Sequence, residues 1–133
     1  MARCGARRWA ADTGRAGVTS IEFAILLPVF VLIVFGIIEL ALMEWTQAAL
    51  EHATSMAARC AAVNTTTCGT ASAVQTYAAS QAYGITLPAS TFSYSTSPCN
   101  HTVSVASPGY GFQFIVPFYG SITVNLTASS CYP

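Results

Sequence analysis

The stretch GVTSIEFAILLPVFVLIVFGIIELALM, Gly17 to Met43, decides how the rest of the chain is read. From Phe23 to Ile38 it holds thirteen Leu, Ile, Val or Phe residues. Each favours membrane insertion by about 0.3 to 0.6 kcal/mol, so the run supplies about 4 to 8 kcal/mol. Phe23 to Met43 as a helix spans about 31 Å at ~1.5 Å per residue, the thickness of a bilayer core. Glu39 would cost ~3 kcal/mol at the centre of a span, but it lies near the outer end, where its side chain can reach the interface.

Upstream, Met1 to Gly17 is short and carries Arg3, Arg7, Arg8 and Arg15, four of the five basic residues in the chain. It reads as a cytoplasmic leader, and the arginines hold it on the cytoplasmic side, so everything after Met43 is expected outside. A removed secretory signal has a shorter apolar core, about 7 to 15 residues, followed by a small-x-small cleavage site. Here the run passes without a break into Glu44, Trp45, Thr46 and Gln47.

Only 8% of the 133 residues are charged, against about 25% in soluble domains. From Cys60 to Pro133 there is no Asp, Glu, Lys or Arg. No basic surface is available to neutralise phosphates, which excludes a nucleic-acid partner. Catalysis is not expected either. The single Asp, Asp12, lies in the leader, Lys is absent, and His52 and His101 have no obvious carboxylate to form a triad. His52 reads as a solvated helix residue and His101 as a strand-edge one. Neither a cofactor nor a small-molecule substrate is expected.

Beyond the span, Leu42, Trp45, Ala49, Ala53, Met56 and Cys60 recur at steps of three and four and form one stripe, with Glu44, Gln47, Glu51, Ser55 and Arg59 on another face. One helix from Val18 to about Val63 is the simplest reading, close to 70 Å long at ~1.5 Å per residue, with Trp45 as an interfacial anchor. A loop from Asn64 to Thr70 leads to a second helix, Ala71 to Tyr83, with Thr70 as N-cap and Gly84 as the stop. Three alternating segments follow, Thr91 to Ser95, Thr102 to Ala106 and Ser121 to Thr127, and fit a three-stranded antiparallel meander. Gly109 to Gly120 is rich in aromatics, but Pro117 and its glycines make it a poor central strand, so it reads as a loop. The fold class is α+β: 1–17 a leader, 18–43 the transmembrane half of the long helix, and 44–133 an extracytoplasmic domain that the outer half-helix covers.

Four cysteines, Cys60, Cys68, Cys99 and Cys131, fall on the oxidising side. In a meander the start of the second strand lies beside the end of the third, which pairs Cys99 with Cys131. Cys60 and Cys68 then close a small ring. Cys99 and His101 sit two apart, but no paired CxxC spacing exists and no metal site is expected.

The junction Gly17-Val18-Thr19-Ser20-Ile21-Glu22-Phe23 carries the sharpest signal. A carboxylate at the threshold of a membrane helix is expensive and points to function. If the chain is cut after Gly17, the new α-amino group of Val18 is a cation with a pKa near ~7.7 to 8.0. It can pair with Glu22 of another copy as the apolar helices bundle, removing two charges that are costly to bury singly.

This stretch resembles the amino-terminal signature of TadE-like minor pilins, or pseudopilins, of the tight-adherence (Tad, or Flp) type IV pilus system. The resemblance implies a pilin-like fold and a prepilin cut by a membrane prepilin peptidase between Gly17 and Val18, with Glu22 and Phe23 in the recognised motif. It also implies partners: the major Flp pilin, sibling pseudopilins and the inner-membrane Tad assembly platform. The expected location is the bacterial inner membrane, with incorporation into a pilus used for adhesion. Two other readings remain open from the residues: an uncut single-pass protein whose outer domain binds a surface, and a secreted disulfide-bonded domain. Asn64, Asn100 and Asn125 each begin an N-x-Ser/Thr triplet, a pattern common by chance in a Thr-rich chain.

Overall fold

The computed structural model describes residues 13–116 and 120–133, with side chains from Ser20 onward. The expectations placed on Arg3, Arg7, Arg8 and Asp12 of the leader, and on Pro117 of the aromatic segment, lie outside the described residues. The chain divides into two compact units, Met1–Gly36 and Ile37–Pro133.

Helix α1 runs Thr13–Val63 and so begins five residues before the expected start at Val18. In the first unit every described side chain is exposed, including Ile21, Phe23, Ile25 and Phe30 at 64 to 68%. A helix apolar all round cannot be solvated by water at that exposure and requires an apolar surrounding. It is long and apolar enough to cross a membrane. Pro28 lies inside it. Lacking an N–H, Pro28 leaves the Ala24 carbonyl without its helical partner.

In the second unit, α1 lays a line of small residues into the core. Leu50, Ala53, Ala57, Ala58, Cys60 and Ala61 are buried in one cluster with Val74, Ala78 and Ala82, Phe92, Val103 and Val105. Of the expected stripe, Ala49, Ala53 and Cys60 are buried, and its first two members are not. Leu42 and Trp45 are 54% and 60% exposed, while Thr46 and Thr54 are buried in their stead. Two threonines fit because each hydroxyl donates to a carbonyl of the preceding turn, Thr46 to Leu42 and Thr54 to Glu51, leaving only methyl groups to pack.

The expected loop after α1 contains a helical turn, α2 (Thr65–Cys68), whose N-cap Asn64 accepts from the Thr67 amide. Helix α3 is Ala71–Gln81, two residues shorter than expected, and Thr70 caps it by accepting from Ala73. Gly84 beyond it adopts φ +77°, the left-handed conformation that glycine takes without steric cost.

A 3-10 turn, Ala89–Thr91, leads into β1 (Phe92–Ser95), followed by β2 (His101–Val105), β3 (Tyr110–Val116), β4 (Gly120–Leu126) and β5 (Ser129–Tyr132). The three-stranded antiparallel sheet is present, in the order β1-β2-β5. Its third member is Ser129–Tyr132, not the expected Ser121 to Thr127. That segment, as β4, pairs instead with β3 in a separate two-stranded sheet. Gly109 to Gly120 is therefore not a loop but mostly a strand. Tyr110, Phe112, Phe114 and Val116 alternate along it and are half-buried, and the strand ends at Val116.

Candidate functional site

Three places in the chain carry polar chemistry. The first is the junction. Gly17 and Val18 lie within α1, and two glycines, Gly14 and Gly17, stand in its first turns. Each costs about 0.8 to 1.0 kcal/mol of helix stability relative to Ala, which weakens the helix just ahead of the span. Glu22 is exposed and Phe23 is 65% exposed. The chain itself covers neither side chain, so both are presented outward.

The second is the outer end of the span. The Ile115 amide of β3 donates to both carboxylate oxygens of Glu39, each at 3.0 Å. Two turns further along α1, Gln47 Nε2 donates to the Thr127 carbonyl at 2.9 Å and to Glu51 Oε1 at 2.9 Å. Glu39 and Gln47 thus hold the two ends of the β3–β4 hairpin against one face of the helix. Glu39 does not simply reach for the interface; a backbone donor is supplied to it. Its sequence signal was the carboxylate in an apolar run, but the partner strand was hidden in a segment read as a loop.

The third is the cysteine set. Cys60 and Cys68 lie at a Cα–Cα distance of 5.8 Å, and Cys99 and Cys131 at 6.2 Å, both within disulfide range. Cys60 closes α1 onto α2. Cys131 stands opposite Thr102 in the β2–β5 register, three residues from Cys99. Proximity of Cys99 to Cys131 therefore comes from β5, not from the meander first expected. His101 opens the central strand β2, not an edge strand, and shares a 2.8 Å hydrogen bond between its Nδ1 and the Tyr94 hydroxyl. His52 is exposed on α1 and stacks obliquely on Tyr83, ring centroids 5.1 Å apart.

The helix from its Gly-Val-x-x-x-Glu-Phe threshold to the start of the domain is similar to known proteins. Residues 17–59 match the TadE-like protein family. The matched TadE-like segment begins at Gly17, takes in Glu22, Phe23 and Glu39, and ends one residue before Cys60. The domain from Cys60 onward lies outside that match. No curated protein and no solved structure matches the chain.

Proposed function

We propose that this protein is a minor pilin of a Tad-type pilus, made as a prepilin, cut between Gly17 and Val18, and assembled through its apolar helix. The observation that carries the reading is the TadE-like match over residues 17–59, which starts at the proposed cleavage position. Glu22 is then the fifth residue of a mature chain of 116 residues, Val18 to Pro133.

Physical chemistry supports the sequence of events. Before cleavage the arginine-rich leader holds the N-terminus in the cytoplasm. Cleavage removes that charge and creates an ammonium at Val18, four residues from Glu22. Within one helix Glu22 lies one turn from the Val18 ammonium, on the same face; as apolar helices bundle, neighbouring copies can also pair Glu22 of one with Val18 of the next. Such a pair is retained in lipid because separating it leaves two uncompensated charges. The domain, with its uncharged surface from Cys60 to Pro133, would lie on the extracytoplasmic face, among the major pilin, sibling pseudopilins and the platform in the inner membrane, and serve in adhesion.

Glu22→Ala tests the role directly. The variant should insert normally yet fail to enter pili. Normal incorporation would remove the proposed role of Glu22.

A further inference from the structure

The β3–β4 hairpin has one apolar face and one polar face. In an antiparallel pair, directly opposed residues share a face. The pairs Tyr110 with Leu126, Phe112 with Val124, and Phe114 with Ile122 make the apolar face; Gly111 with Asn125 and Gln113 with Thr123 make the polar one, which also carries Ile115, opposite Ser121 and 71% exposed, at its tip. Along β4 the apolar face loses its cover step by step: Leu126 is 7% exposed, Val124 37% and Ile122 60%. A two-stranded hairpin with an open apolar face is not stable in water on its own, so something covers the end that the domain does not.

The helix contacts say where that end lies. Gln47 holds Thr127 at the base of the hairpin and Glu39 holds Ile115 near its tip. The hairpin therefore runs down α1 toward the span by about 12 Å, eight residues at ~1.5 Å each. Glu39 is four residues inside the outer limit of the apolar run at Met43, and Ile37, Ile38, Leu40 and Leu42 around it are 49 to 62% exposed. The open part of the hairpin face and the exposed apolar residues of α1 therefore lie at the same height along the helix. Glu39 engages the Ile115 amide on the β3 edge; the other edge, along β4, keeps its backbone groups within reach of water only at the headgroup level.

We infer that the tip of the β3–β4 hairpin is a second membrane contact, with Ile122 and Val124 seated in the outer part of the bilayer beside the span. The inference rests on α1 crossing the membrane with Glu39 near its outer end. Interfacial apolar faces of this kind sink about 5 to 10 Å to the headgroup and acyl boundary. The domain would be held at a fixed height and orientation at the membrane surface until extraction into a filament.

The test is fluorescence quenching of the full chain in phosphatidylcholine vesicles carrying bromines either near the headgroup or near the chain ends. Trp9 and Trp45 are replaced by Phe, and a single reporter is placed as Ile122→Trp, Thr123→Trp or Leu32→Trp, with Val124→Trp as a second reporter on the apolar face. The expected result is strong quenching of Ile122→Trp and Val124→Trp by shallow bromines, little quenching of Thr123→Trp, and quenching of Leu32→Trp by deep bromines. Unquenched Ile122→Trp and Val124→Trp beside a quenched Leu32→Trp would overturn the inference while leaving the span intact. A blue-shifted Ile122→Trp emission that ignores bromine would mean that protein covers the face, and would overturn it equally. If Leu32→Trp is also unquenched, the membrane-spanning reading itself fails.

Discussion

Ile115, next to last in β3, gives its amide proton to the two carboxylate oxygens of Glu39, 76 residues earlier in the chain. A hydrogen bond to a charged acceptor contributes about 1.5 to 3 kcal/mol, with the low end appropriate to an exposed site. Glu39→Ala should raise hydrogen exchange at the Ile115 amide by at least about tenfold, the equivalent of ~1.4 kcal/mol. Glu39→Gln, which keeps an acceptor, should recover part of that protection. Exchange unchanged in both variants would show that the bond does not hold the strand.

Gly84 is fixed by two demands. Its φ of +77° is in the left-handed region, and a Cβ built there would lie 3.0 Å from Trp45 Nε1. Gly84→Ala should lower domain stability by about 1 to 2 kcal/mol from the backbone alone, visible as a lower thermal midpoint. Combining it with Trp45→Ala should recover only the part due to crowding.

The two cysteine pairs should be separable by stability. On the chain-entropy estimate, closing the eight-residue separation of Cys60 and Cys68 contributes about 2.6 kcal/mol, and the 32-residue separation of Cys99 and Cys131 about 3.7 kcal/mol. Replacing Cys99 and Cys131 by Ser should therefore cost more than replacing Cys60 and Cys68. Peptide mapping without reductant should return these two linkages; a Cys60–Cys99 or Cys60–Cys131 peptide would contradict the arrangement.

Phe92 is 1% exposed, at the start of β1 in the cluster shared with α1 and α3. Phe92→Ala should cost about 3 to 5 kcal/mol and unfold the domain. The apolar run from Phe23 to Ile38 buries nothing in the chain, so insertion of α1 should survive the same substitution. Loss of insertion would show that the span depends on the domain.

The long helix, the short helix and two of the three sheet strands were legible because each is written in local periodicity or capping: the apolar run, Thr70 at an N-cap, Phe92 and Tyr94 alternating with Ser. Ser129–Tyr132 was not, since Ser-Ser-Cys-Tyr has no apolar alternation and becomes a strand only through the ladder that β2 offers it. β3 was misread for the opposite reason. Its alternation of Tyr110, Phe112 and Phe114 is written in the sequence, but Pro117 and the flanking glycines argue locally for a loop. The buried stripe of α1 rotated away from Leu42 and Trp45 because the core accepts alanines and self-satisfied threonines at close range, which hydrophobicity alone does not rank. Gly17, Val18, Glu22 and Phe23 were legible as a motif; the grip of Glu39 on Ile115 was not, because it depends on a tertiary partner.

The account stands on the creation of a new N-terminus at Val18, and intact mass with N-terminal sequencing of the protein from pili of its native host measures that directly. The result expected is a chain beginning Val18-Thr19-Ser20-Ile21-Glu22. Assembled protein that still begins at Met1, with Arg3, Arg7, Arg8 and Arg15 in place, would contradict it.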